Sequence, residues 1–278
     1  MEVTKNSPTF RGLGICAIAL FLFVLAPPVA AHAGEIVVAA AADLTFVFKD
    51  AGARFEKETG NSIKFSYGSS GNFLSQIENG APYDIFFSAD VADPKKLEAA
   101  GPAEPGTLYE YATGKLVIWV PAKSALDISQ GLKVLLDPSI GKIAIANPKH
   151  APYGAAAVAA MRHEGIYDRI KRKLVMGENI LQTAQFVQSG NADAGLLALS
   201  LARAPAMKDT GRYIEVPSAD YPPIVQAAVI LKSSRNKEIA KRFLKFLKEA
   251  TTVALMRRYG FLLPGEIAGV QANPGAPN

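Results

Sequence analysis

Glu35-Ile36-Val37-Val38-Ala39-Ala40-Ala41-Ala42-Asp43-Leu44-Thr45 is a short apolar strand that runs directly into small and hydroxyl residues opening a helix. The same junction recurs at Tyr67-Gly68-Ser69-Ser70-Gly71-Asn72 and at Asn147-Pro148-Lys149-His150-Ala151-Pro152-Tyr153-Gly154, and in weaker form at Gly177-Glu178-Asn179-Ile180. The first N–H groups of a helix have no intrahelical acceptor, and the helix dipole is positive at that end. Several such starts aimed at one point would grip an anion without a full counter-charge.

Outward from that stretch, β-branched and apolar runs alternate with helical patterns. The reading gives strand 35–41, helix 44–58, strand 62–67, helix 71–79 and strand 84–88. Repeated βα order with short connections predicts an α/β fold with mostly parallel sheets and helices on both faces. A second α/β block begins at Lys115-Leu116-Val117-Ile118-Trp119-Val120 and includes strands 142–146 and 193–198 and helices 153–164 and 179–188. The strand Ile224-Val225-Gln226-Ala227-Ala228-Val229-Ile230 then precedes two basic helices, 236–249 and 250–259, read as the chain returning to its first block. The expected organisation is one lobe over 34–112 and 223–265, a second over 113–222, and two crossover segments near 111–114 and 221–225. Residues 266–278, rich in Pro, Gly, Asn and Ala, read as a disordered tail.

The N-terminus carries Lys5 and Arg11, an apolar run from Leu13 to Leu25, and Ala31-His32-Ala33. A charged start, a short apolar core and an A-x-A pattern predict a secretory signal over 1–33, cleaved after Ala33. The run falls short of the roughly 20 residues of a spanning helix. Cys16, the single cysteine of the 278 residues, leaves with the signal, so neither disulfides nor a thiol nucleophile is expected in the exported chain. Removing Lys5, Arg11 and Glu2 from 30 basic and 25 acidic residues leaves 28 against 24. That mild, dispersed excess argues against a nucleic-acid partner, which would need a denser basic stripe with interleaved aromatics.

Catalytic signals are sparse. The two histidines after the signal, His150 and His163, lack metal-ligand spacing, and no G-x-S-x-G, P-loop or G-x-G-x-x-G occurs. The chain therefore reads as a non-enzyme with neither metal nor cofactor. A Ser69 or Ser70 nucleophile with His150 as base, a periplasmic hydrolase, is the alternative of another class. Ser69 or Ser70 reads equally as a plain cap, and Tyr153 as an interface aromatic. Asp43 is the ambiguous residue: a good helix cap, or a direct contact whose charge would repel a dianion unless protonated.

Together with Gln76-Ile77-Glu78-Asn79-Gly80-Ala81-Pro82-Tyr83-Asp84-Ile85-Phe86-Phe87-Ser88-Ala89-Asp90 and Arg258-Tyr259-Gly260-Phe261, these motifs resemble the periplasmic molybdate-binding proteins of ABC importers, from about Glu35 to Phe261. The resemblance implies a type II periplasmic binding protein fold, two lobes closing over molybdate or tungstate held by neutral donors. The partners it implies are a membrane permease with its ATPase, the location is the periplasm, and the binding subunit is a monomer. By motif, the ligand contacts are Asp43, where the family usually has a serine, the Ser70 hydroxyl, Tyr153 and the backbone of Ile180. Ala198 stands where many members carry a tyrosine, and the Tyr153 phenol is expected to replace that donor. The Ser-to-Asp exchange at 43 keeps other ligands open: sulfate, a protonated phosphorus oxyanion or a metal cation.

Overall fold

A computed structural model describes residues 1–4 and 34–266; the signal segment and its cleavage site, and positions 267–278 of the tail, lie outside the described residues. Two five-stranded sheets form the frame. The first contains β1 (Glu35–Ala41), β2 (Ser62–Gly68), β3 (Ile85–Ser88), β4 (Tyr109–Gly114) and β10 (Ile224–Ile230), in the order β2-β1-β3-β10-β4. The second contains β5 (Leu116–Pro121), β6 (Ile143–Ala146), β7 (Leu174–Gly177), β8 (Ala194–Ala198) and β9 (Gly211–Glu215), in the order β7-β6-β8-β5-β9. In the first, β1 pairs in parallel with β2 and β3, while β10 lies antiparallel between β3 and β4. In the second, β6 pairs in parallel with β7 and β8, while β5 lies antiparallel between β8 and β9.

Both sheets are mixed, yet in each four strands run one way and one is reversed. The reversed strand is the one that enters from the other lobe. The chain leaves the first sheet at Lys115, between β4 and β5, and returns through residues 216–223 into β10. Residues 111–114, read from sequence as a crossing, belong to β4, because β10 supplies their hydrogen-bonding partners. The two passages are tied together: Lys115 Nζ lies 2.9 Å from Glu215 Oε2, and the Leu116 N–H donates to Tyr221 Oη at 3.0 Å.

Four helices begin beside the strand ends that matter here: α1 (Thr45–Thr59) after a single 3-10 turn at Ala42–Leu44, α2 (Ser70–Glu78), α4 (Pro152–His163) and α6 (Ile180–Gln188). Pro152 occupies the first turn of α4, where its missing N–H costs nothing. The Asn179 side chain caps α6, accepting from Leu181 and Gln182 N–H at 3.0 Å each. Sequence reading passed over α3 (Ala92–Ala100), β4, β7 and β9. β7 and β9 are short and flank charged or polar residues, so no period stands out.

The lobes are filled differently. Under the first sheet, α8 (Lys237–Phe246) inserts Phe243 among Phe48, Phe55, Phe65, Phe87 and Phe246, at centroid distances of 5.2 to 6.4 Å. The second sheet packs aliphatic and alanine side chains, among them Ile118, Ile143, Ile145, Ala157, Ala160 and Leu196, all fully buried. Ala41, Ala42 and Ala89 from the first lobe join this second core, so the two lobes meet across small side chains.

Candidate functional site

The ends of β1, β2, β6 and β7 lead into the starts of α1, α2, α4 and α6, which line one small cavity of about 10 Å³ together with Ala89 after β3. Among its lining residues are Asp43, Ser70, Tyr153 and Ile180, all four positions singled out from sequence. They are buried, at 1%, 1%, 2% and 4% exposure. A cavity of that size holds about one water, so a larger tetrahedral guest requires the lobes to part. The remaining lining is alanine, glycine, proline and Ser69, with neither lysine nor arginine.

Each position reaches the cavity in its own way. Ser70 Oγ accepts from the Ala89 N–H at 2.9 Å, which fixes the hydroxyl and leaves its proton free to donate. Tyr153 and Ile180 lie in the first turns of α4 and α6, where backbone N–H groups have no helical acceptor. The Tyr153 phenol is used elsewhere: it donates to Asp43 Oδ2 at 3.0 Å. Its single proton is engaged there, and Ala198 closes β8 fully buried and outside the cavity lining.

Asp43 sits in the 3-10 turn ahead of α1, and its carboxylate caps neither helix. Oδ2 accepts instead from Tyr153 and from Gln226 Nε2, the latter at 2.7 Å. Burial raises its pKa from 3.8 to about 6, partly offset by the Gln226 and Tyr153 bonds. Ser200 Oγ donates to the Asp43 carbonyl at 2.8 Å and pins the turn. Burial, with Asp43 second, pushes the Tyr153 hydroxyl well above its ordinary range, so it stays neutral.

Gln226, Tyr111, Ser200 and Gly114 were missed from sequence. Gln226 had a visible signal: it is the single polar side chain in the apolar strand β10, and it is fully buried. Gly114 had none. A Cβ there would lie 2.0 Å from Tyr153 Oη and 2.7 Å from Gln226 Nε2, so only glycine lets the phenol and amide meet Asp43 beside the first crossing.

A second set of contacts closes the rim. His150 Nδ1 lies 2.8 Å from Ser69 Oγ, the Gly71 N–H donates to the His150 carbonyl at 2.9 Å, and Asn72 Nδ2 donates to Glu178 Oε1 at 2.7 Å. Glu178 Oε1 is 3.6 Å from His150 Nε2. Among the described residues, one group of three potential metal ligands gathers, His163, Glu164 and Asp220, and none lines the cavity.

Two α/β sheets of equal wiring, joined by two passages and closing on a buried cluster of helix starts, define the two-lobed binding-protein scaffold. The chain belongs to the family described as bacterial extracellular solute-binding protein, whose model matches residues 36–262, and within it to the molybdate-binding group that the sequence motifs resemble. It is 39% identical over 260 residues to the molybdate-binding protein ModA of Rhodobacter capsulatus, covering 94% of this chain and 99% of that one. Identity to ModA of Azotobacter vinelandii is 41% over 232 residues, covering 84% and 91%. The solved periplasmic molybdate-binding protein of Azotobacter vinelandii superposes with a TM-score of 0.79 at 39% identity, covering 83% of this chain and 100% of that chain. These relatives are named as binding proteins. No helix among the described residues is long and apolar enough to cross a membrane.

Proposed function

We propose that this protein is the periplasmic substrate-binding subunit of an ABC importer, capturing molybdate or tungstate between its lobes and delivering it to a permease with its ATPase. The observation that carries the reading is the lining of the cavity: the starts of four helices converge there with hydroxyl and backbone donors and without a cationic side chain. Donors held in place replace the hydration of the anion, and bonds to a charged acceptor are roughly twice as strong as neutral ones. In this reading Ser70 donates through its hydroxyl, Tyr153 and Ile180 through backbone N–H groups, and Asp43 borders the anion. The moving bodies are a first lobe of 34–112 and 223–265 and a second of 113–222. Residues 1–33 direct export and are removed, and the subunit acts as a monomer.

The Ser69–His150 pair acts in this reading as a closing contact, not as nucleophile and base. Glu178, the acid on the far side of His150, is 60% exposed and 3.6 Å away, and the Asn72 amide donates to the same Oε1. The Gly71 bond to the His150 carbonyl joins the same two elements independently of the ring.

Isothermal titration with molybdate, tungstate, sulfate and phosphate tests the proposal. Tight binding of the first two and silence toward the others is expected. Ser70→Ala should weaken molybdate binding about 10- to 100-fold, as loss of one bond to a charged group does. Silence of the wild-type protein toward molybdate, or binding of sulfate in preference to it, would sink the assignment.

A further inference from the structure

Asp43 is more than a neighbour of the anion. Its hydrogen-bonding network runs through Gln226. The single Tyr111 Oη proton faces both the Ser88 carbonyl at 3.0 Å and Gln226 Oε1 at 2.8 Å, and Gln226 Nε2 donates to Asp43 Oδ2 at 2.7 Å and to Tyr153 Oη at 3.1 Å. Tyr153, accepting from that amide, donates its own proton to the same Oδ2 at 3.0 Å. Oδ2 is thus an acceptor of two donors. Oδ1 is buried without a partner among the described residues, on a side chain that lines the cavity. A buried, unpartnered carboxylate oxygen is costly, and a proton placed there displaces neither donor on Oδ2.

The surroundings offer no other way to balance a dianion. The titratable groups facing Asp43 are Tyr153 from α4 and Tyr111 from β4, both kept neutral chiefly by burial. Asp90, just after β3, acts on Tyr111 as well, and burial raises its own pKa. His150 and Glu178 lie at the rim, paired with Ser69 and Asn72. An ionised Asp43 would therefore meet an incoming dianion as like charge in a site without a cation.

Building on the oxyanion reading above, we propose that Asp43 takes up one proton on Oδ1 as the anion enters, becoming an O–H donor to it, so that loading is coupled to one proton. The proton comes from solvent and returns to solvent on release, and no other bond changes. Burial already holds Asp43 at about 6 in the absence of an anion, and a dianion beside it raises that value further, because like charge disfavours the ionised form. By linkage, affinity is greatest below that value and falls as pH rises above it. Asparagine at this position mimics the loaded state: its oxygen accepts from Tyr153 and Gln226, and its amide donates from the place of Oδ1.

The test is titration of the purified protein with sodium molybdate from pH 6.5 to 8.5, in two buffers of different ionisation heat. The expected result is uptake of close to one proton per anion at pH 7.5 and a Kd rising about tenfold per pH unit. Asp43→Asn should bind as tightly as the wild type does at its lowest pH, with the pH slope gone. A flat wild-type profile without proton uptake, while molybdate still binds, would overturn the proposal and leave the molybdate assignment standing. Loss of binding in a folded Asp43→Asn protein would overturn it in another way, since the ligand would then have brought the proton to an ionised carboxylate. Absence of any oxyanion binding by the wild type removes the reading on which it rests, and the proposal with it. If Asp43→Asn does not fold, Asp43→Ser takes its place: retained molybdate binding with the pH slope gone supports the proposal, and lost binding in the folded protein overturns it.

Discussion

The two lobes share one wiring and almost nothing else. Orders β2-β1-β3-β10-β4 and β7-β6-β8-β5-β9 correspond strand for strand, with the entering strand reversed in the same place. The first lobe is filled by a cluster of phenylalanines around Phe243, the second by isoleucine, leucine and alanine. Wiring of this kind is set by βα order and the handedness of parallel crossovers, which do not depend on which apolar residues fill the layers. The chemistry is as unequal as the packing. The first lobe supplies a carboxyl, a hydroxyl and an amide, from Asp43, Ser70 and Gln226, whereas the second supplies one phenol and two helix starts.

The comparison can be broken first through the cores. Phe243→Ala should cost about 3–5 kcal/mol, while Ile145→Val in the second core should cost about 0.5–1.5 kcal/mol. Urea unfolding of both variants checks this, and equal losses would mean that the aromatic cluster is no more demanding than its aliphatic counterpart.

A second test addresses the buried charge of the first lobe. The folded-state pKa of Asp43, about 6, lies above its ordinary 3.8. Its favourable contribution is therefore complete below about pH 4 and is lost as pH rises through 6, a penalty of about 3 kcal/mol at pH 7. The stability of Asp43→Asn relative to wild type should grow by that amount between pH 4 and 7, measured in ligand-free protein. Parallel pH profiles would show that the carboxyl group does not change state in that window.

The seam between the lobes gives the smallest effect. Gly114→Ala places a methyl group against Tyr153 Oη and Gln226 Nε2 and should cost about 1–3 kcal/mol through overpacking. It should also weaken oxyanion binding, because the phenol must leave Asp43. Unchanged affinity with lowered stability would confine the role of Gly114 to packing.

Much of the first lobe was legible because its strands are short, apolar and followed at once by helix-opening residues. β1 falls at Glu35–Ala41 and β10 at Ile224–Ile230, as the residue pattern indicates. β4 was not legible, since Tyr109–Gly114 mixes Glu110 and Thr113 into its run and takes its place only by pairing with β10. At the site, the four helix starts were visible as local motifs, each needing only its own few residues. The bond of the Tyr153 phenol to Asp43 was not legible, because the two residues are 110 positions apart.

By itself, the sequence determined the alternation of strands and helices, the family motifs and the residue types at each helix start, since caps, prolines and apolar periods act over a few neighbours. Only the tertiary structure decided what those groups do to one another. Burial turned Asp43 from a candidate cap into a carboxyl group of raised pKa, and Gly114, Tyr111 and Gln226 fixed which of its oxygens is left to meet a ligand. Desolvation and hydrogen-bond direction depend on residues brought together from distant parts of the chain, and no local pattern records them.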